Sequence, residues 1–120
     1  MPEFAVGQRW RFKTRPSETK ATFIVGRIEP DGQGGTVVHI AVQDVAIKSP
    51  QAPGGVSREI GHSPIAHAAL RASATELVAS GVAVPDGFED GYRQWKAAGG
   101  GVFTFPLARV IEFIEQVINQ

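Results

Sequence analysis

The residues with the clearest chemical potential in this chain are its histidines, His39, His62 and His67. Together with Glu59 they carry the side chains that bind Zn²⁺ in proteins. His62 and His67 are five positions apart, whereas two ligands on one helix face lie three or four apart. Because the spacing joins none of them, the sequence predicts no metal site unless the fold brings them together.

A serine hydrolase is the second chemistry to weigh, through Ser63 and His67. A nucleophilic serine needs a base, an orienting carboxylate and an oxyanion hole. Residues 61–65 lack the second glycine of the G-x-S-x-G motif, and Pro64 removes the amide that such a turn uses. Ser63 as a helix N-cap before Pro64 explains the same residues. The sequence therefore assigns no catalytic residue, and a small hydrolase or metal enzyme using His62 or His67 stays an alternative.

Basic side chains on the predicted sheet form a candidate binding surface. The candidate binding residues are Arg9, Arg11, Lys13, Arg27 and His39. The first three share one face of a strand, because side chains two apart point the same way. Guanidinium groups beside an aromatic ring bind phosphates and stack on bases, so nucleic-acid binding is a further alternative. Pairing with Glu18 or Glu29 explains the same charges as a solvated face.

The composition limits the class of protein. The chain has 120 residues, which fits a single domain over 1–120. Its twelve basic and twelve acidic residues give no net field toward nucleic acid or membrane. Without cysteine it has no disulfide, thiolate zinc site or cysteine nucleophile. No run approaches the roughly 18 apolar residues of a membrane span. We therefore expect a cytoplasmic protein with no membrane partner and no cofactor.

The period of the apolar residues changes near residue 60 and predicts the elements before that point. Up to there, apolar and polar residues alternate as in β-strands. Strands are predicted over 8–14, 21–28, 36–42 and 45–48. Residues 49–61, rich in proline and glycine, are predicted to be a loop. Four consecutive strands with short turns indicate an antiparallel meander, whose twist could curl it into a partial barrel.

After residue 60 the pattern is mainly helical. A first helix is predicted from Ser63 to about Ser80, and a second follows Asp86 as its N-cap. Residues 102–105 are predicted to form a fifth strand. Pro106 then opens a third helix with a continuous apolar face over 107–118.

These patterns predict an α+β domain with the element order ββββααβα. Its antiparallel sheet of four to five strands is strongly bent and is covered on one side by three helices. Because the polar residues are scattered, the sequence favours a non-catalytic binding protein over an enzyme. We expect the partner to be another protein, with a second copy of the chain as one candidate. The predicted contact surface is the exposed sheet face near Arg11 and His39.

Several short segments resemble a group of small uncharacterised bacterial proteins. They are Gly7–Trp10, Lys13–Pro16, Val38–Ile40, Gly61–Ile65, Gly91–Lys96 and Ile111–Glu115. The resemblance covers nearly the whole chain, which implies a free-standing domain. No activity is known for this group, so the resemblance assigns no functional residue.

An aromatic stripe provides the first testable expectation. Phe88, Tyr92 and Trp95 fall at i, i+4 and i+7 of the second predicted helix, which indicates that they pack onto the sheet. For a core tryptophan, we expect Trp95→Ala to lower the free energy of unfolding by about 3–5 kcal/mol. A denaturant melt measures this loss. A value under about 1 kcal/mol would instead indicate an exposed indole available to a ligand.

Overall fold

The computed structural model describes residues 3–120, which form five strands and three helices. The elements are β1 (Arg9–Phe12), β2 (Thr22–Pro30), β3 (Thr36–Lys48), β4 (Val56–Ala66), α1 (His67–Ser73), β5 (Ala74–Ala79), α2 (Phe88–Ala97) and α3 (Leu107–Ile118). The α+β class is confirmed, as is an antiparallel sheet with helices. The predicted order ββββααβα is wrong, because the chain runs ββββαβαα. Within the described range, no helix has the length and apolar character needed to cross a membrane.

The sheet has the strand order β4-β3-β2-β1-β5, and every neighbouring pair is antiparallel. The first four strands form an antiparallel meander, but its third and fourth strands are not the predicted ones. The fifth strand returns across the sheet to pair with β1, far from it in sequence. Across residues 3–120 the sheet stays open, with β4 and β5 as its edges, so it is not closed into a barrel.

Residues 45–66 differ most from the prediction in the first half of the chain. The predicted third and fourth strands are one long strand, β3, with a register shift between Gln43 and Ile47 against β4. The predicted loop over 49–61 is only a short turn, because pairing with β3 extends the chain from Val56 onward. Burial against a neighbouring strand here outweighs the local preference of proline and glycine for turns.

The predicted helix over 63–80 is wrong, since this segment is the end of β4, a short helix and β5. Ser63 and Ile65 point into the core, and His62 and Pro64 lie on the other face. The Pro64 carbonyl accepts a hydrogen bond from the Phe103 amide at 3.0 Å, so its nitrogen also faces away from β3. The missing N–H of Pro64 therefore costs no bond to β3.

Residues 102–105 do not form the predicted fifth strand. Phe103 makes a single parallel bridge to Ile65, and the Ala66 amide donates to its carbonyl at 2.8 Å. Helix α2 begins at Phe88 after Gly87, which is left-handed, and Asp86 makes no capping bond. The third helix begins after Pro106, as predicted.

Both faces of the sheet are covered, so the prediction of helices on one side only is wrong. Helices α1 and α3 cover the main core, which includes Trp10, Phe23, Ile40, Leu70 and Ile111. Helix α2 packs on the opposite face, where Tyr92 and Trp95 lie against His39. His39 lies between Val38 and Ile40 in β3, and alternation sends its ring away from that core.

A partly buried ion cluster fixes the turn after β1 to the end of β3 and to α3. The Glu18 side chain is 0% exposed and accepts bonds from Arg15 Nε at 2.8 Å and from the Ala46 amide at 2.7 Å. Arg15 Nη1 also donates to Glu115 at 2.9 Å, and Glu115 accepts the Lys48 amide. Glu18 and Glu115 together raise the pKa of Arg15, so its charge is permanent.

We expect Arg15→Ala to lower the free energy of unfolding by about 3 kcal/mol, because it leaves the buried Glu18 carboxylate without its counter-ion. The matched control is Arg11→Ala, which breaks an ion pair to Glu76 whose side chains are 51% and 69% exposed. Such a pair contributes under about 1 kcal/mol. Urea melts of both variants compare them directly. Equal losses would mean that the Arg15 cluster contributes no more than a surface pair.

Candidate functional site

One carboxylate and two histidines from three neighbouring strands form a continuous hydrogen-bonded chain, here called the Glu–His–His chain. Glu29 lies on β2, His39 on β3 and His62 on β4. His39 Nε2 lies 2.8 Å from Glu29 Oε1, and His39 Nδ1 lies 2.8 Å from His62 Nε2. His39 is 0% exposed, whereas Glu29 and His62 are partly buried. Both ring nitrogens of the buried histidine are therefore satisfied, as burial of polar groups requires.

A β-bulge in β2 brings Glu29 onto the face of the sheet that carries His39 and His62. In β2 the register shifts at Gly26, so that Arg27 rather than Gly26 faces His39. This shift turns Arg27 and Glu29 away from the core that Val25 faces. In β4, Pro64 pairs with His39, so His62 two residues earlier lies on the same face by regular alternation. The bulge in β2 does not follow from a strict alternation of side chains.

Helix α2 covers the Glu–His–His chain with aromatic rings. The Tyr92 hydroxyl donates to both oxygens of Glu29, at 3.0 and 3.2 Å. The Trp95 ring meets the His39 ring edge-on, with centroids 4.7 Å apart, and the Phe88 ring lies 5.5 Å from that of His62. Arg27 places its guanidinium 4.4 Å from the Tyr92 ring centre. The prediction that the aromatic stripe packs onto the sheet is confirmed.

Two glycines make room for this close approach. A side chain at Gly26 would overlap the Phe88 ring, and a Cβ at Gly91 would lie 2.7 Å from the Cβ of His62. Gly91 lies inside α2, where glycine costs about 1 kcal/mol relative to alanine. That cost is offset by the contact that the missing side chain allows between α2 and β4.

The surroundings lower the pKa values of Glu29, His39 and His62, which favours an ionised carboxylate and two neutral imidazoles. Burial opposes the charge of Glu29, but bonds from His39, Tyr92 and Arg27 hold its pKa below the ordinary value. Burial lowers the pKa of His39, although Glu29 acts against this. Burial, with a smaller effect of His39, lowers the pKa of His62 to about 4. At neutral pH the Glu–His–His chain therefore consists of a carboxylate and two neutral imidazoles.

These charge states determine which ring nitrogens of the Glu–His–His chain carry a proton. The Glu29 carboxylate only accepts, so His39 Nε2 carries a proton and donates to it. His39 Nδ1 must then accept from His62 Nε2–H. The lone pair of His62 is left on Nδ1, for which the described residues provide no hydrogen-bond partner. The chain is linear, and residues 3–120 contain no group of three or more His, Cys, Asp or Glu able to hold a metal.

The other candidates for chemistry lie apart from this chain. His67 opens α1 and packs against the Phe4 ring at 5.4 Å, and Glu59 is exposed on β4. Ser63 is 1% exposed in the core, where its hydroxyl has no hydrogen-bond partner. Ser63 is therefore not the predicted helix cap, because it lies within β4 and the next helix begins only at His67.

The predicted basic residues are dispersed rather than joined in one patch. Arg9 donates to Thr22 and Gln43 at 2.8 and 2.9 Å, and Arg11 pairs with Glu76 on β5. Lys13 is exposed beyond the end of β1. Arg27 and His39 meet at the Glu–His–His chain instead, where His39 is buried. The structure thus brings together two of the five candidate binding residues.

An aromatic surface, defined by the partly buried Phe103 and Phe105 and the exposed Phe113, lies on α3 and on the segment that precedes it. The three ring centres are 5.6 to 6.3 Å apart. They line a cavity of about 290 Å³ with Arg109, Glu112 and Gln116. Phe103 also lines a second cavity of about 360 Å³ with Pro64, Trp95 and Val102. The indole is thus only partly buried, and the expected loss for Trp95→Ala falls to about 2 kcal/mol.

Three parts of the site could not be identified from the sequence. Glu29 was considered only as a partner for surface charges, because the bulge at Gly26 is not visible in the residue pattern. Phe103 and Phe105 were assigned to a strand rather than to a surface. For Phe113 the sequence does carry a signal, because it lies one turn from the polar Arg109 on α3 and is not part of the predicted apolar face.

Comparison with known proteins gave no match, whether to a family model, to a curated protein or to a solved structure.

We expect Gly91→Ala to lower the free energy of unfolding by about 1–3 kcal/mol, because the new methyl group forces α2 away from His62. In an open helix position the same change would stabilise the protein by about 1 kcal/mol. Gly101→Ala is the control, since nothing lies within 4 Å of a Cβ there and its backbone is not left-handed. Thermal and urea melts of both variants provide the comparison. A stabilised Gly91→Ala protein would contradict the close contact.

Proposed function

We propose that this protein is a non-catalytic protein-binding domain whose contact surface is the aromatic surface of Phe103, Phe105 and Phe113. The observation that carries the proposal is that this ring cluster reaches the surface at Phe113, while Phe103 and Phe105 are partly buried against the main core. Phe113 is 46% exposed and Val117, one turn later on α3, is 49% exposed. Large aromatic side chains grouped at the surface are typical of interaction sites, because covering them with a partner removes apolar area from water.

The form of the surface supports a protein partner. Phe103 lines both cavities, so the two depressions are neighbours on the surface between Trp95 and Phe113. Their size suits the side chains of a protein, and their aromatic walls suit apolar anchors. The basic residues give less support to nucleic acid. Arg9, Arg11 and Arg27 each contact an acceptor or a carboxylate within the chain, which leaves no continuous positive groove along β1 and β2.

The partner that fits this surface is a second copy of the chain. Arg109 and Glu112 line the same cavity, so the surface carries one charge of each sign. A twofold axis between these residues would pair each arginine with the glutamate of the other copy, as isologous interfaces require. The balanced formal charge of the chain adds no repulsion between copies.

Sedimentation velocity over a range of protein concentrations tests the proposal. We expect a reversible dimer that Phe113→Asp weakens about thirtyfold, the effect of losing about 2 kcal/mol at an interface centre. Val78→Asp is the matched control, since Val78 is 45% exposed but lies on β5. Circular dichroism establishes that both variants fold. A protein that stays monomeric at hundreds of micromolar, or equal weakening by both variants, would refute this surface as the interface.

A further inference from the structure

Only one proton can lie between the facing nitrogens of His39 and His62. The two nitrogens, His39 Nδ1 and His62 Nε2, lie 2.8 Å apart and face each other. In a neutral pair one ring donates and the other accepts. One added proton can bind the free lone pair on His62 Nδ1, and the contact then persists, because the single proton between the two rings can lie on either nitrogen. A second proton leaves two N–H groups facing each other, so this contact must break.

The charges around His62 oppose that second proton. His62 is in direct contact with His39 from β3 and Tyr92 from α2, while Glu29 from β2 contacts His39, and Arg27 from β2 and Lys96 from α2 lie against the Tyr92 ring. Glu29 is the only carboxylate among these groups, and it already binds His39, Tyr92 and Arg27. A charged His62 would therefore lie beside a charged His39 with no counter-ion of its own.

Helix α2 packs over His62 and leaves its side chain only partly exposed in the folded state. Gly91 lies directly against its Cβ, and the rings of Phe88, Tyr92 and Trp95 surround it at 5.5 to 6.1 Å. The helix is short and both of its ends meet left-handed glycines, Gly87 and Gly99. Such residues allow a helix to move as a unit, because they tolerate large changes of backbone angle.

We propose that the Glu–His–His chain is an acid-sensitive clamp: positive charge on both His39 and His62 releases α2 from the sheet while the main core stays folded. His62 has an ordinary pKa of 6.5 and a pKa of about 4 when α2 is docked. The released state therefore binds the extra proton more tightly. The docking equilibrium is strongest above pH 6.5 and weakens as the pH falls, by up to tenfold per unit until about pH 4. The main core lies on the opposite face and does not depend on this contact.

Release of α2 would also change the cavity beside the aromatic surface. Trp95 forms one wall of that cavity, and its Nε1 donates to the Gly101 carbonyl at 2.8 Å. The Gly100 amide donates to the Trp95 carbonyl at 2.9 Å. These bonds connect α2 to the segment that carries Phe103. Acid would thus weaken partner binding, a consequence that rests on the proposed function, whereas the release of α2 does not.

Nuclear magnetic resonance of the full chain between pH 7.5 and 4 tests the clamp. We expect the amide signals of 88–97 to change together with the His62 ring proton, while those of 9–12 and 107–118, which belong to the main core, keep their native dispersion. His62→Gln, whose amide can still donate to His39 but does not titrate, should lose the α2 transition. His67→Gln should retain it, because His67 lies outside this cluster.

Three results would overturn the clamp: an unchanged α2 transition in His62→Gln, no transition in the wild type, or loss of α2 and the main core at one pH. If His62→Gln fails to dock α2 at pH 7.5, the wild-type titration still decides, since the His62 ring and α2 must change at one pH. Sedimentation at both ends of the range separates the two proposals. Release of α2 without any dimer refutes only the interface, and a dimer with a static α2 refutes only the clamp.

Discussion

The burial of His39 in the middle of the sheet is the constraint on which the second face of this protein depends. An imidazole without solvent needs a partner at each ring nitrogen, or it costs more free energy than its neighbours return. Here the partners are Glu29 and His62, one from each adjacent strand. The register of three strands and the position of α2 must therefore agree to within the length of a hydrogen bond. A core made of aliphatic side chains would tolerate looser agreement.

The same constraint explains why the sheet carries two different layers. On one face, apolar side chains fill the space between the strands and helices α1 and α3, and shape alone determines how they fit. On the other, α2 is held by the buried Phe88 ring, by the contacts of Tyr92 and Trp95, and by the close approach at Gly91. The first layer is an apolar core, and the second combines apolar contacts with a hydrogen-bonded polar chain. The apolar face thus contributes most of the free energy of unfolding, whereas the face with the Glu–His–His chain carries the dependence on pH.

Local patterns in the sequence predicted the elements that local forces determine. Alternation identified β1 and β2 and placed His39 on the face opposite Val38, and Pro106 with its apolar stripe identified α3. The predicted helix over 63–80 is wrong because pairing with β3 and β1 determines the structure of this segment. Neither partner strand can be identified from the residues of the segment itself. The bulge at Gly26 reversed the faces of Arg27 and Ile28, which hid Glu29 as a partner of His39. The fold class was therefore predictable, and the buried polar chain was not.

The position of β5 at the far edge of the sheet affects how the protein emerges during synthesis. Strand β1 pairs with β2 soon after both leave the ribosome, yet its other side meets β5 only when residues 74–79 follow. Until then, β1 exposes unpaired backbone groups beside Trp10 and Phe12. An open strand edge next to large apolar side chains is a template for pairing between nascent chains. Early binding by a chaperone, or a delay in translation before residue 79, would therefore change the yield of folded protein more than the final stability.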